Sequence, residues 1–466
     1  MKPLPKASHP MQYLLETYGC QMNKAESAAL ESIFRERGWS TTEDAASADL
    51  VLINTCSVRQ TAENRAWGRI DLHAASKRER VATGKKRLCL VVTGCMAERM
   101  KHAIKERQPG VDYVVGTFQK QAFGLVLDAV EQGRKLEDLE ESPAFIFARS
   151  YYEPGSFRSF VPIMHGCDNF CTYCIVPYIR GREISRAPSA VLEEIASLED
   201  SGVREITLLG QNVNSYRWKG AVGSGADPID ANALDFPGLL RLISSKLRER
   251  GRGGVRWIRF LSSHPKDLSD EAIAVLADDP FYCKHVHLCV QSGSNGVLEA
   301  MNRRYSREDY LSLVDRMKAA IPGLSLSSDI LVGFPGETEA DLELTLDLMR
   351  KVGYTYSYMY HFNPREGTPA ATMEGRVADK VKRDRLARVI VLQKEIARAL
   401  MRDRVGQVDE VLIESVSKRR ASEVLGRTQR DEMVVFPAPS SRVGSFAKVR
   451  LTSLAGNTFK AEEIVE

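Results

Sequence analysis

Three times in its N-terminal part the chain runs an apolar stretch into a cysteine and then into a helix-like segment. The three are YLLETYGCQMN at 13–23, DLVLINTCSVR at 49–59 and LCLVVTGCMAE at 88–98. The runs LVLIN and LCLVV are continuous and β-branched, as in parallel strands buried on both faces. Segments such as KAESAALESIFRERGW carry helical periodicity. The alternation predicts a βαβ domain with a parallel sheet. Ligands of such sheets lie beyond the carboxyl ends of the strands, and Cys20, Cys56 and Cys95 all fall at that edge. Each stands just before a helix start, whose positive end favours a thiolate. One such cysteine alone reads as a small buried hydrophobe. Three at equivalent positions predict a three-cysteine metal site.

A second trio, Cys167, Cys171 and Cys174, lies within one loop, HGCDNFCTYCIVPYIRGR. Structural zinc takes four protein ligands at other spacings, and ferredoxin runs supply four cysteines with two-residue gaps. C-x-x-x-C-x-x-C instead covers three corners of a four-iron cluster and leaves the last iron to a non-protein ligand. The chain has nine cysteines, an odd number that argues against a disulfide framework. The remaining three, Cys89, Cys283 and Cys289, lie inside strand candidates and read as core residues.

Past a charged stretch at 131–143 come six apolar strand candidates: SFVPIMHGC, REITLLGQNVNS, VRWIRFLSSHP, HVHLCVQSGS, LSLSSDILVGFPGE and YTYSYMYHFNP. Helical segments intervene, which predicts an incomplete (β/α)6 barrel. The Gly/Asp-rich insertion KGAVGSGADPIDANALDFPG reads as a surface loop. From about 376 to 405 the pattern is helical, and after Gly406 short strands separated by turns predict a small all-β barrel. The expected organisation is α/β overall: an N-terminal parallel-sheet domain over 1–140, a central barrel over 150–390 and an all-β barrel over 393–464.

The three-cysteine loop at the end of a first barrel strand resembles the radical S-adenosylmethionine (SAM) superfamily. The words YGCQMN, NTCSVR and TGCMAE resemble the N-terminal domain of the methylthiotransferase family within it, and the likeness extends over nearly the whole chain, including a C-terminal TRAM-type RNA-binding barrel. It implies two [4Fe-4S] clusters, one on Cys167, Cys171 and Cys174 and one on Cys20, Cys56 and Cys95. It also implies SAM as cofactor, held through its amino and carboxylate groups and cleaved to a 5′-deoxyadenosyl radical. An electron donor such as flavodoxin or ferredoxin follows; the sulfur donor is left open. TYCIVPYIRGREISR, LLGQNVNSY and SSHP most resemble the branch that transfers a methylthio group to C2 of isopentenylated adenosine beside the tRNA anticodon. Other branches modify threonylcarbamoyladenosine in tRNA or an aspartate of a ribosomal protein.

Further candidates follow from position. Tyr173 lies inside the cysteine loop; Gly210, Asn212 and Asn214 end the second strand, Gln291 and Ser292 the fourth, and Asp329, Gly333 and Gly336 belong to DILVGFPGE. Polar and small residues there suit cofactor contact, although each also suits a turn or a cap. Arg180, Arg182, Arg186, Arg303, Arg304 and Arg365 suit phosphate or the SAM carboxylate at a barrel mouth. Arg427 and Lys448 are basic residues of the C-terminal barrel, and an anticodon stem-loop is the single-stranded kind of RNA target that proteins read. The formal net charge of +4 alone does not argue for nucleic acid. Residues 376–420 carry 13 Lys/Arg against 7 Asp/Glu, which suits either phosphate or a solvated helix. No secretory h-region or membrane-length apolar run is present, so a cytoplasmic, membrane-free protein is expected; nothing demands more than a monomer. The rival of another class is a non-enzymatic iron–sulfur protein that binds RNA, which leaves the six β/α units without a task.

Overall fold

Continuous apolar strands need cover on both faces, and in the computed structural model the N-terminal strands have it. The model describes residues 10–57, 60–85, 87–119, 122–134, 136, 145, 147, 155–220 and 227–464. By internal contacts the chain divides into two units. One is Met1–Glu153 with Phe160–Asp168 and Cys174–Arg186; the other is Pro154–Ser159, Asn169–Tyr173 and Ala187–Glu466.

The first unit holds a five-stranded sheet ordered Ser40–Thr41, Gln12–Thr17, Leu50–Thr55, Cys89–Gly94, Tyr113–Val115. Every pairing is parallel. All of Leu50–Thr55 is buried. One face packs Val51, Ile53 and Val92 against Trp67, Ile70 and Met96; the other packs Leu50, Leu52 and Val91 against Phe34 and Phe123. The two edge strands, of two and three residues, are too short for periodicity to reveal. Most of the charged stretch at 131–143, and with it the expected boundary near 140–150, lies outside the described residues, as does the middle of the 219–238 insertion.

In the second unit the strands Glu205–Leu209 and Trp257–Phe260 pair in parallel, as do His285–His287, Ser325–Val332 and Tyr356–His361. Single parallel bridges, Ile258 to Tyr282 and Ser263 to Leu288, join the two sets. The helices Pro188–Asp200, Phe236–Arg250, Asp270–Asp278, Arg307–Ala320 and Glu339–Val352 alternate with these strands, as expected of an incomplete α/β barrel. Reciprocal side-chain caps, Ser306 with Asp309 and Thr338 with Asp341, fix the starts of two of these helices.

Asp379–Arg402 is one unbroken helix, so the boundary expected at 390–393 falls inside a helix. Its Met401 is part of the core of the closed five-stranded barrel that follows, built from Val408–Val416, Glu423–Thr428, Met433–Pro437, Phe446–Ala455 and Thr458–Glu463. This barrel is not a separate body. Trp257 and Phe446 meet edge to face at 4.9 Å, and Arg259 donates to the Thr428 and Gln429 carbonyls at 2.8 and 3.0 Å. Asp431, in the left-handed region at φ 66°, accepts from Tyr356 Oη at 2.7 Å and from Arg427 Nη1 at 2.6 Å. Arg427 pairs with Asp431 and Glu414, and Lys448 is exposed.

Burial works against ionisation of Asp431, but His285, Arg427 and Arg259 overcome it and hold the carboxyl well below the usual range. A depressed carboxyl stabilises the fold above its unfolded pKa and loses that contribution as pH falls. Asp431→Asn is expected to cost about 3 kcal/mol in urea unfolding near neutral pH. The deficit should shrink below about pH 4, where the wild-type contribution fades. A deficit independent of pH would reject this assignment.

Candidate functional site

The three N-terminal cysteines come together through two buried asparagines. Asn23, in the first turn of Gln21–Glu36, donates from Nδ2 to Asn54 Oδ1 at 3.0 Å and to the Thr55 carbonyl at 3.1 Å. Its Oδ1 accepts the Cys20 N–H at 3.3 Å. Asn54 Nδ2 returns a bond to the Asn23 carbonyl at 2.9 Å. Gly94, at φ 93°, lies so close that a Cβ there would sit 2.4 Å from both Asn54 Oδ1 and the Thr55 carbonyl. The loop before Cys20, the strand end before Cys56 and the strand end before Cys95 are thus latched into one edge. Sequence reading missed Asn23 and Asn54, although both stand inside the quoted words.

The guanidinium of Arg180 closes this site. It ends the short helix Val176–Arg180, which follows Cys174, and Ile175 and Ile179 pack against Cys95. Arg180 is 3 % exposed; it donates to Glu26 at 2.8 Å and to Cys95 Sγ at 3.1 Å. Burial pushes the Cys95 thiol up to about 11, with Arg180 pulling the other way. The expectation of Arg180 as an RNA or SAM contact is corrected: its charge is spent inside the fold, on a carboxylate and a cysteine. Ser57 is fully buried beside Cys56, and its hydroxyl has no partner among the described residues. Three unbridged thiols, a buried cation and an orphaned hydroxyl on one edge fit an iron–sulfur cluster.

The second trio occupies the loop after the strands Arg158–Pro162 and Met164–His165. In the first unit, Cys167 N–H bonds the Gly181 carbonyl at 3.2 Å. Only glycine fits at 166, where φ is 79° and a Cβ would meet the Arg182 carbonyl at 2.0 Å. In the second unit, the segment MNRR grips the middle of the loop. Asn302 donates to the carbonyls of Asn169 and Phe170 at 3.3 and 3.1 Å, and Thr172 bonds the Met301 and Ala300 carbonyls. Arg303, 3 % exposed, donates to Cys171 Sγ at 3.3 Å and to Tyr173 Oη at 3.4 Å. Like Arg180, it is buried on a cysteine sulfur and not at a surface for RNA. Each trio therefore has one buried arginine on one sulfur.

At the carboxyl ends of the strands, Asn212 accepts the His264 N–H at 3.2 Å and donates to Asp267 at 2.7 Å. Asn214 Oδ1 accepts from Ser263 at 3.2 Å. Asn214 Nδ2 and His264 Nε2 are buried without partners among the described residues. Burial, reinforced by Arg303, holds His264 at about 2, so the ring is neutral. Its Nδ1 accepts the Lys266 N–H at 3.3 Å, which leaves the proton on Nε2. Two unmet donors beside buried Gly210 suit the polar end of an amino-acid-like cofactor. Gln291, at φ 71°, is buried at the fourth strand end.

Other candidates are turned elsewhere. Ser292 pairs with Thr345, Gly333 backs onto Lys382, and Asp329 lies beside His287 and Cys289. Gly336 approaches the backbone of Gly375. Arg186, bonded to the Pro162 carbonyl, and Arg365 are buried, whereas Arg182 and Arg304 are exposed. Cys283 packs against Trp257 and Leu412 as a core residue, and Cys89 packs against the sheet core. Cys289 is half-buried, and its sulfur faces the Asp329 carboxylate instead of an apolar core.

Three family models match the chain: the uncharacterized protein family UPF0004 over 12–116, the radical SAM superfamily over 161–349 and the TRAM domain over 402–463. A tRNA-2-methylthio-N(6)-dimethylallyladenosine synthase of Treponema pallidum is 46% identical, covering 98% of this chain and 99% of its own length. One of Bacteroides thetaiotaomicron is 41% identical, covering 97% and 95%. Among solved structures, the radical SAM methyltransferase TsrM of Kitasatospora setae aligns with a TM-score of 0.55 at 16% identity, over 78% of this chain and 74% of that one, a likeness of fold alone.

Proposed function

The chain belongs to the tRNA-2-methylthio-N(6)-dimethylallyladenosine synthase family of radical SAM enzymes, and from that premise we infer that it attaches a methylthio group to C2 of N6-dimethylallyladenosine beside the anticodon of tRNA. The observation that carries this reading is full-length identity of 46% in a chain with two cysteine trios and a TRAM barrel. Cys167, Cys171 and Cys174 would hold one [4Fe-4S] cluster, and Cys20, Cys56 and Cys95 the other. The first would supply the one-electron reduction that cleaves SAM, and the second would serve sulfur attachment.

The chain's own residues bind and orient. Tyr173, Gly210, Asn212, Asn214 and Gln291 would line the SAM site, where the unmet donors Asn214 Nδ2 and His264 Nε2 would suit its methionine part. Arg303 fixes the Cys171 sulfur and Arg180 the Cys95 sulfur. Arg182, Arg304 and the basic face of Asp379–Arg402 contact tRNA phosphates. The reductant is a small flavin or iron–sulfur carrier such as flavodoxin or ferredoxin, and the working unit is a monomer in the cytoplasm. No described helix is long and apolar enough to cross a membrane.

Mass spectrometry of tRNA nucleosides from a deletion strain tests the assignment. The 2-methylthio derivative of dimethylallyladenosine should disappear and its unthiolated precursor accumulate, with restoration by the intact gene. Loss of methylthio-threonylcarbamoyladenosine, or of a methylthio-aspartate on a ribosomal protein, would transfer the chain to another branch.

A further inference from the structure

A trio of metal-ligating side chains lies outside both cysteine sets. His287 ends the strand His285–His287, Cys289 follows two residues on, and Asp329 lies in the next strand, Ser325–Val332. Alternate residues of a strand share a face. His287 pairs in register with Ser327, so Cys289 and Asp329 are each one step further along the same face of the parallel pair. One ligand atom from each of the three lies within 4.8 Å of the others. His287 Nε2 is 3.6 Å and Cys289 Sγ 3.5 Å from the same carboxylate oxygen, Asp329 Oδ2. Zinc bonds of about 2.0–2.3 Å in a tetrahedron place ligand atoms about 3.3–3.7 Å apart. Two edges therefore already match a tetrahedral site.

The surroundings are those of a built site. The other ring nitrogen of His287, Nδ1, is 2.9 Å from Ser327 Oγ, which is also 2.9 Å from His285 Nε2. That hydroxyl fixes the imidazole from behind, as outer-shell partners of metal-bound histidines do. The Cys289 carbonyl accepts from Arg303 and Tyr305, so the backbone carrying the thiol is held as well. His287 is buried while Asp329 is 28 % exposed, leaving the carboxylate side open.

We propose that His287, Cys289 and Asp329 form a third metal site, which takes a divalent cation of borderline softness with Zn²⁺ as the best match, and leaves its fourth position open. Imidazole and thiolate exclude calcium and magnesium, which take oxygen ligands. The trio is separate from both cluster trios. Arg303 spans the distance to one of them, touching the Cys289 carbonyl and the Cys171 sulfur. A ligand on the open position therefore lies in the same barrel as the SAM-cleaving loop.

The test uses anaerobically reconstituted holoprotein, whose six cluster cysteines are occupied, incubated with ZnCl₂ and desalted. Elemental analysis should find about one zinc per chain in the wild type. Cys289→Ala and Asp329→Asn should each lose it, with iron and sulfide content unchanged. With CoCl₂ instead, the wild type alone should develop the visible ligand-field bands of a tetrahedral site. Zinc retained equally by both variants, or no zinc on the wild type, would overturn the proposal. Because the readout is metal content at constant iron, it fails or succeeds independently of the methylthiotransferase assignment.

Discussion

Replacing Cys167, Cys171 and Cys174 together by alanine is expected to halve the bound iron, from about eight to about four atoms per reconstituted chain, and to abolish SAM cleavage. The cause is local. One loop carries all three thiols, and of the bonds by which MNRR holds that loop only Arg303 to Cys171 involves a cysteine. The fold therefore survives their loss. The N-terminal trio keeps its metal because Asn23, Asn54 and Gly94 fix it within another sheet. The reciprocal variant, lacking Cys20, Cys56 and Cys95, should also hold half the iron yet still release 5′-deoxyadenosine under dithionite, while forming no methylthio product. Iron and sulfide analysis with chromatography of the nucleoside products distinguishes the two. Full iron retention by either triple variant would show that its cysteines are not ligands.

Arg180→Met is expected to destabilise the N-terminal unit by about 3–5 kcal/mol, the cost of stranding one member of a buried ion pair. Glu26, 8 % exposed, would keep its charge without the guanidinium that neutralises it. Adding Glu26→Gln should recover part of the loss, with a coupling of at least about 1 kcal/mol in a double-mutant cycle. A merely space-filling Arg180 would show no such coupling. A second readout separates the cysteine contact from the ion pair. Removing a positive charge from Cys95 Sγ disfavours adding an electron nearby, so the N-terminal cluster of Arg180→Met should have a lower reduction potential. Arg180→Lys restores charge without the two-pronged geometry and should recover the potential better than the stability.

What the sequence by itself determined is whatever depends on neighbours along the chain. C-x-x-x-C-x-x-C brings three thiols together by covalent spacing. Period-two and period-3.6 patterns marked the six barrel strands, their helices and the small terminal barrel. Even the common edge of Cys20, Cys56 and Cys95 was legible, because parallel strands present their carboxyl ends on one edge whatever the packing. Only the tertiary structure decided where long polar side chains end. Arg180 and Arg303 read as cations for phosphate or the SAM carboxylate, yet a guanidinium on a flexible stem goes where a buried carboxylate, carbonyl or sulfur awaits it, and those partners lie far off in sequence. Arg427 was taken up by Asp431 for the same reason. Cys289 read as core because a strand pattern does not say which neighbour's side chains share its face. The register of His287 on Ser327 put Asp329 there.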